Sequence, residues 1–185
     1  MTNHFQKLPL SVVLITLNEE KNIARALKSV AWASEVMIYD SGSTDRTCEI
    51  AESLGAKVIK GPWLGYGPTK SKATELASHD WILSIDADEE VSSSLASEIQ
   101  KKLSTLDAES AYRLPRLSYF LGRWIHHGGW YPDYQIRLFH RQHAKWNQGS
   151  IHEKVEAKTY KTLTSDLNHY VFKDINHQIQ TNNRY

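Results

Sequence analysis

The chain has 185 residues, 41% hydrophobic and 23% charged, with a formal net charge of +1, an ordinary balance for one soluble globular domain with a real core. Its single cysteine, Cys48, excludes an internal disulfide and fits a reducing compartment. No apolar run approaches the ~20 residues of a membrane-spanning helix, and residues 1–9 lack the features of a signal peptide, so the expected location is the cytoplasm.

Residues 11–16 (SVVLIT) form a buried strand by composition and length. Asn18 is placed to cap a following helix, with Ile23, Leu27 and Val30 at helical spacing on its inner face. Residues 35–40 (EVMIYD) make a second strand. Ser43 or Thr44 caps a second helix that turns Ile50, Ala51 and Leu54 inward and ends at Gly55. Residues 57–60 are a short third strand, and the loop GPWLGYGP leads to a helix over 69–77. Residues 81–85 (WILSI) are the fourth strand, and a helix over 92–103 closes this half. Beyond residue 110 the rhythm changes: 111–117 and 135–141 read as strands around the aromatic segment FLGRWIHHGGWYPDY.

Strand–helix alternation of this kind predicts an α/β fold with a mostly parallel, helix-covered central sheet. Such sheets bind ligands at the carboxyl ends of their strands. Three of the four strands end in polar clusters: Thr16-Leu17-Asn18-Glu19, Asp40-Ser41-Gly42-Ser43-Thr44-Asp45 and Asp86-Ala87-Asp88. Asp86 and Asp88 converge on one point if the chain turns after its strand. Hard carboxylate oxygens suit Mg²⁺ or Mn²⁺, which would also hold a pyrophosphate and neutralise a leaving diphosphate. Asp40 can accept hydrogen bonds from a base or ribose, or else shape its turn, while Asp45 is assigned a structural role.

Charge is uneven. Residues 1–110 carry 11 basic and 16 acidic side chains, whereas residues 111–155 carry 7 and 2. The acidic first half argues against a nucleic-acid footprint. The basic, aromatic segment suits an acceptor with anionic groups, or peripheral contact with the inner membrane. Trp124, Trp130, Tyr131 and Tyr134 are core residues or, beside Gly128 and Gly129, a stacking surface for a sugar ring. We therefore expect an acidic half over 1–110, a basic, aromatic half of the same domain over 111–157, and a C-terminal extension over 158–185 that looks truncated.

The series TLNEE, DSGSTD and DAD, in this order and spacing, resembles family 2 glycosyltransferases with the GT-A fold. The blocks RLPRLSYFLGRWIHHGGWYPDYQIRLFHR and GSIHEKV resemble bacterial lipopolysaccharide core β-glucosyltransferases. The resemblance spans residues 9–157. It implies a metal-dependent, inverting transferase that takes a sugar from a nucleotide-sugar donor, by preference a UDP-sugar, to a glycan or glycolipid acceptor such as lipopolysaccharide core. On this resemblance the half over 1–110 binds the nucleotide sugar and the half over 111–157 faces the acceptor. It implies contacts from Thr16, Asn18 and Glu19 to the nucleoside, Asp40 to the base, Lys72 (with Lys70 second) to the nucleotide and Asp86 to ribose or sugar. Asp88 would ligate the metal, and His152 sits where related folds place a further ligand. The Q-x-x-R-W block that supplies the base in many members is absent. Asp133 is the first candidate base, with Arg137 either holding it in place or binding an acceptor phosphate, and Glu153 is its rival. The alternatives are a sugar nucleotidyltransferase, disfavoured because TLNEEKN has no glycine, and a non-catalytic nucleotide-sugar-binding module.

Overall fold

The computed structural model describes residues 8–147 and 153–171. Strand β1 (Leu10–Thr16) is buried on both faces, as its unbroken apolar composition demands. Helix α1 (Ile23–Ser29) buries Ile23, Ala26 and Leu27 and is followed by β2 (Glu35–Asp40), α2 (Thr47–Ser53) and β3 (Lys57–Lys60). Helix α3 (Tyr66–Leu76) leads to β4 (Trp81–Ser84), β5 (Glu89–Val91) and α4 (Ser93–Lys102). The remaining strands are β6 (Ser110–Phe120), β7 (Arg123–Ile125), β8 (Asp133–His140), β9 (Ala144–Trp146), β10 (Val155–Ala157), β11 (Thr159–Thr162) and β12 (Leu167–His169).

The main sheet runs β3-β2-β1-β4-β8-β6-β12-β5, with β7 and β11 also paired to β6. Strands β3, β2, β1 and β4 are mutually parallel, and β8 then joins β4 and β6 antiparallel. Alternation along β1 feeds two cores. Leu10, Val12 and Leu14 pack with residues of α1, α2 and α4, while Val13 faces Ala73 of α3, Met37, Phe139 and Trp146. The small β9–β10 ribbon thus covers the α3 face.

Several local expectations change. Asn18 does not cap α1, which starts four residues later behind Asn22. Asn18 has φ 56°, and its Oδ1 accepts hydrogen bonds from the Thr44 N–H and hydroxyl, joining two loops. Neither Ser43 nor Thr44 caps α2. The cap position is Arg46, which makes no side-chain cap; Asp45 just before it accepts from the N–H of Thr47 and, across the gap, of Glu20. Leu54 is exposed rather than inward. Helix α3 begins at Tyr66 because Gly65, at φ +95°, turns the chain and Pro68 is tolerated in a first turn. After Asp88 the chain enters β5 before α4, whose Ser92 cap accepts from the Leu95 N–H. Residues 159–162 and 167–169, expected in an extension, are strands of the main sheet. Among the described residues no helix is long and apolar enough to cross a membrane.

Candidate active site

A cleft of about 760 Å³ opens at the carboxyl ends of β1 and β4. Thr16, Leu17 and Glu19 reach it from β1, and Asp86, Ala87 and Asp88 from β4. Trp63, Tyr66 and Lys70 come from the β3–α3 connection, Glu153 and His169 from the second half of the chain. Its size suits a nucleotide.

Asp40, at the end of β2, is buried. Its carboxylate accepts hydrogen bonds from the Thr16 hydroxyl, the Gly42 and Ser43 N–H groups and the Ser43 hydroxyl. Burial raises its pKa, but these donors outweigh it and hold the group below the usual carboxylate value. Thr16 and Asp40 also face each other in the β1–β2 register, so the pair ties two strand ends together. Asp40→Ala is therefore expected to cost about 1–3 kcal/mol of stability, read as a lower urea midpoint at unchanged slope. An unchanged midpoint would show that the turn holds itself without the carboxylate.

Deeper in the cleft the charges alternate. Lys70 Nζ lies 2.9 Å from both Asp86 Oδ1 and Glu153 Oε1, and its side chain is only 3% exposed. Arg137, 5% exposed, bonds the other oxygen of Asp86 and Glu89 Oε1. Arg116 continues the chain from Glu89 to Asp133, which it grips through Nε and Nη2. Burial pushes the Asp86 carboxyl up, but Arg137 and then Lys70 more than reverse this, so it stays ionised far below its ordinary range. Burial opposes the Arg137 charge in the same way, and Asp86 and Glu89 overcome it and raise its pKa.

Three predicted roles shift on this geometry. Lys72 lies outside the cleft, paired with Glu75 on the surface; two residues along a helix is a turn of about 200°, and Lys70 occupies the inward face with Ala73 and Thr74. Arg137 does not hold Asp133. Spacing of four makes neighbours on a helix, but on a strand it separates residues by about 13 Å. The partner of Asp133 is Arg116, directly opposite it across β6 and β8. Asp133, which also accepts from Gln135, is not among the residues lining the cleft, whereas Glu153 is.

His152 lies outside the described residues. The histidine beside Asp88 is His169, with Nε2 3.4 Å from Asp88 Oδ2. Strand β12 pairs antiparallel with β5, opposing His169 to Glu89, and the Tyr170 N–H donates to the Asp88 carbonyl at 3.0 Å. Sequence reading missed His169, because a three-residue strand carries no period to mark it. Among the described residues no group of three His, Cys, Asp or Glu side chains is arranged to hold a metal ion. Asp88 and His169 fit two positions of a shell, since two ligands about 2.1 Å from one cation can lie 3.4 Å apart. Asp86 fits less well, its oxygens being engaged by Lys70 and Arg137.

The sheet order and the acid-lined cleft at its carboxyl edge define an α/β domain of the GT-A type. The fold is shared with S. aureus TarS 1-349 in complex with UDP-GlcNAc, at TM-score 0.50 and 21% identity over 64% of this chain and 37% of that one. Residues 11–164 match Glycosyl transferase family 2, and the chain belongs to that family. It is 30% identical over 192 residues to the lipopolysaccharide core biosynthesis glycosyltransferase LpsC of Rhizobium meliloti (strain 1021), which covers 97% of this chain and 69% of that protein. It is 54% identical over 92 residues to an uncharacterized glycosyltransferase of Rickettsia bellii (strain RML369-C), covering 49% of this chain and 31% of the relative. The matched region thus spans about a third of that relative's length.

Proposed function

We propose that this chain is the donor-binding core of an inverting glycosyltransferase. It moves a sugar from a nucleotide-diphosphate sugar, by preference a UDP-sugar, to a glycan or glycolipid such as lipopolysaccharide core. The observation that carries this reading is the convergence of Asp86, Asp88, Lys70, Glu153 and His169 in one nucleotide-sized cleft at the carboxyl edge of a parallel sheet. The likeness to LpsC supports the acceptor class. Donors of this kind are cytoplasmic, and any meeting with the inner membrane is peripheral on this reading.

Asp88 and His169 would hold Mg²⁺ or Mn²⁺, with phosphate oxygens and water completing the shell. Bound there, the ion neutralises charge on the leaving diphosphate. Thr16 and Glu19 face the nucleoside, while Asn18 and Asp40, which do not line the cleft, brace their loop through Thr44 and Thr16 rather than touching the nucleoside and base themselves. Lys70 holds Asp86 and Glu153 in place and offers its charge to the donor.

Glu153 is the base on this reading. One of its oxygens accepts from Lys70, and it lines the cleft, while Asp133 is clamped by Arg116 and Gln135. Inversion needs a base within hydrogen-bond reach of the acceptor hydroxyl. Glu153→Gln is expected to lower turnover at saturating donor at least ~100-fold with donor affinity kept. Should Asp133→Asn lose turnover and Glu153→Gln keep it, the two roles exchange.

The whole reading is tested with UDP-, GDP-, ADP- and dTDP-sugars, each with and without Mn²⁺, by thermal melting. A donor that binds the native state raises the melting temperature by mass action. A Mn²⁺-dependent rise with one nucleotide class is the expected result, and no rise with any of them would sink the proposal.

A further inference from the structure

Two aromatic side chains of the cleft take no part in the chemistry above. Trp63 is 47% exposed and Tyr66 49%, yet both line the cleft, and their rings meet edge to face at 4.8 Å. Trp63 sits on a built loop rather than a loose one, and Tyr66 opens α3 directly behind it. The Gly61 N–H donates to the Asp40 carbonyl, the Tyr39 hydroxyl donates to the Pro62 carbonyl, and the Leu64 N–H donates to the Thr69 hydroxyl. A side chain at position 61 would collide with the Tyr39 ring, a Cβ there falling 2.0 Å from its hydroxyl oxygen. The glycine is what lets the loop close over β2.

We propose that Trp63 and Tyr66 form the stacking wall for the nucleobase of the donor. The inference rests on the donor-binding reading and adds the part of the ligand that this wall takes. Strand order supplies the direction. The loop leaves β3, and β2 and β1 separate β3 from β4, which delivers Asp86 and Asp88. At about 4.8 Å per strand the two strand ends are ~14 Å apart. The cleft therefore has an acidic, cation-holding end and an aromatic end. Glu153 and His169 lie with the former, and Thr16, Leu17 and Glu19 project from β1 between the two. A nucleoside diphosphate has the same polarity, with its phosphates at one end and a flat aromatic base at the other. A diphosphate held at Asp88 directs its base toward Trp63. Tyr66 and Lys70 are four residues apart on α3, so one helical face carries both an aromatic for the base end and a cation for the phosphate end.

Stacking on an aromatic side chain depends on the base and not on the phosphates, which separates this wall from the rest of the site. The experiment measures binding of UDP and of inorganic pyrophosphate, each with Mn²⁺, to the wild-type chain, Trp63→Ala and Trp63→Phe by calorimetry. Trp63→Ala is expected to weaken UDP about 10- to 100-fold and pyrophosphate less than about 2-fold, while Trp63→Phe, which keeps a ring, stays within about 3-fold for both. Equal weakening of UDP and pyrophosphate would overturn the wall, because the loop would then be acting on the whole site. Unchanged UDP affinity with a raised acceptor KM would also overturn it and give the aromatics to the acceptor. A wild-type chain that binds pyrophosphate but no nucleotide sinks the wall while leaving the cation end standing. One that binds neither sinks the donor-binding reading itself.

Discussion

Asp88→Asn is expected to lower cation-dependent turnover about 10³-fold, equivalent to about 4 kcal/mol of transition-state stabilisation, and to leave the chain folded. The size of the effect follows from where charge develops. On the proposed reading, departure of a nucleoside diphosphate would build negative charge at the acidic end of the cleft, where Lys70 and Arg137 are already engaged by Asp86 and a bound cation would offset the repulsion from Asp88. Asn keeps the shape and one oxygen but removes the charge that would hold the ion. The fold should survive because Asp88 is partly exposed, and its structural link to Tyr170 runs through the backbone carbonyl, which the substitution keeps. The check has two parts: turnover against Mn²⁺ concentration, and melting temperature with UDP in the presence and absence of Mn²⁺. Wild-type turnover from Asp88→Asn in excess EDTA would remove the ion from the mechanism.

Arg137→Met should be the most destabilising single change in the site, at about 3–5 kcal/mol near neutral pH. Arg137 is buried and joins Asp86 to Glu89, whose side chain is fully buried. Methionine fills most of the volume but leaves Asp86 with Lys70 alone and Glu89 with Arg116 alone, so two buried carboxylates each lose a cation. The pH dependence has a definite sign. With Arg137 present, the folded-state pKa of Asp86 is depressed, so its contribution is full above the unfolded value near 3.8 and is lost only as pH falls toward the folded value. Without the guanidinium, burial is opposed by Lys70 and Arg116 alone, so the Asp86 pKa rises from its depressed value. Protonation then relieves the penalty as pH falls from 7.5 toward 5. Urea unfolding at those two values should show a smaller deficit at the lower pH, and adding Glu89→Gln should recover part of the loss at neutral pH. A deficit of equal size at both would mean that lost packing, not charge, is responsible.

The first half of the fold was legible because its signals are local. Buried parallel strands read as unbroken apolar runs such as SVVLIT, and the polar clusters that follow them mark the carboxyl edge where ligands collect. The acids of DAD and the neighbouring TLNE segment were therefore visible without coordinates, and both reach the cleft. What the sequence could not rank were side chains with equivalent local context. Lys70 and Lys72 differ only in helix phase, and that phase depends on a start at Gly65 that the Gly- and Pro-rich loop disguised. Asp133 was ranked ahead of Glu153 as the base until strand register put Arg116 opposite the first, and the cleft took in the second. His169 reaches Asp88 only because β12, three residues long, inserts between β6 and β5. By itself the sequence determined a family 2 chain with a parallel α/β core and an acidic strand-end site, because hydrophobic periodicity and strand-end composition are properties of short segments. The tertiary structure alone decided which cation, which histidine and which acid meet there, because those meetings come from pairings between strands far apart in the chain, whose register no local pattern encodes.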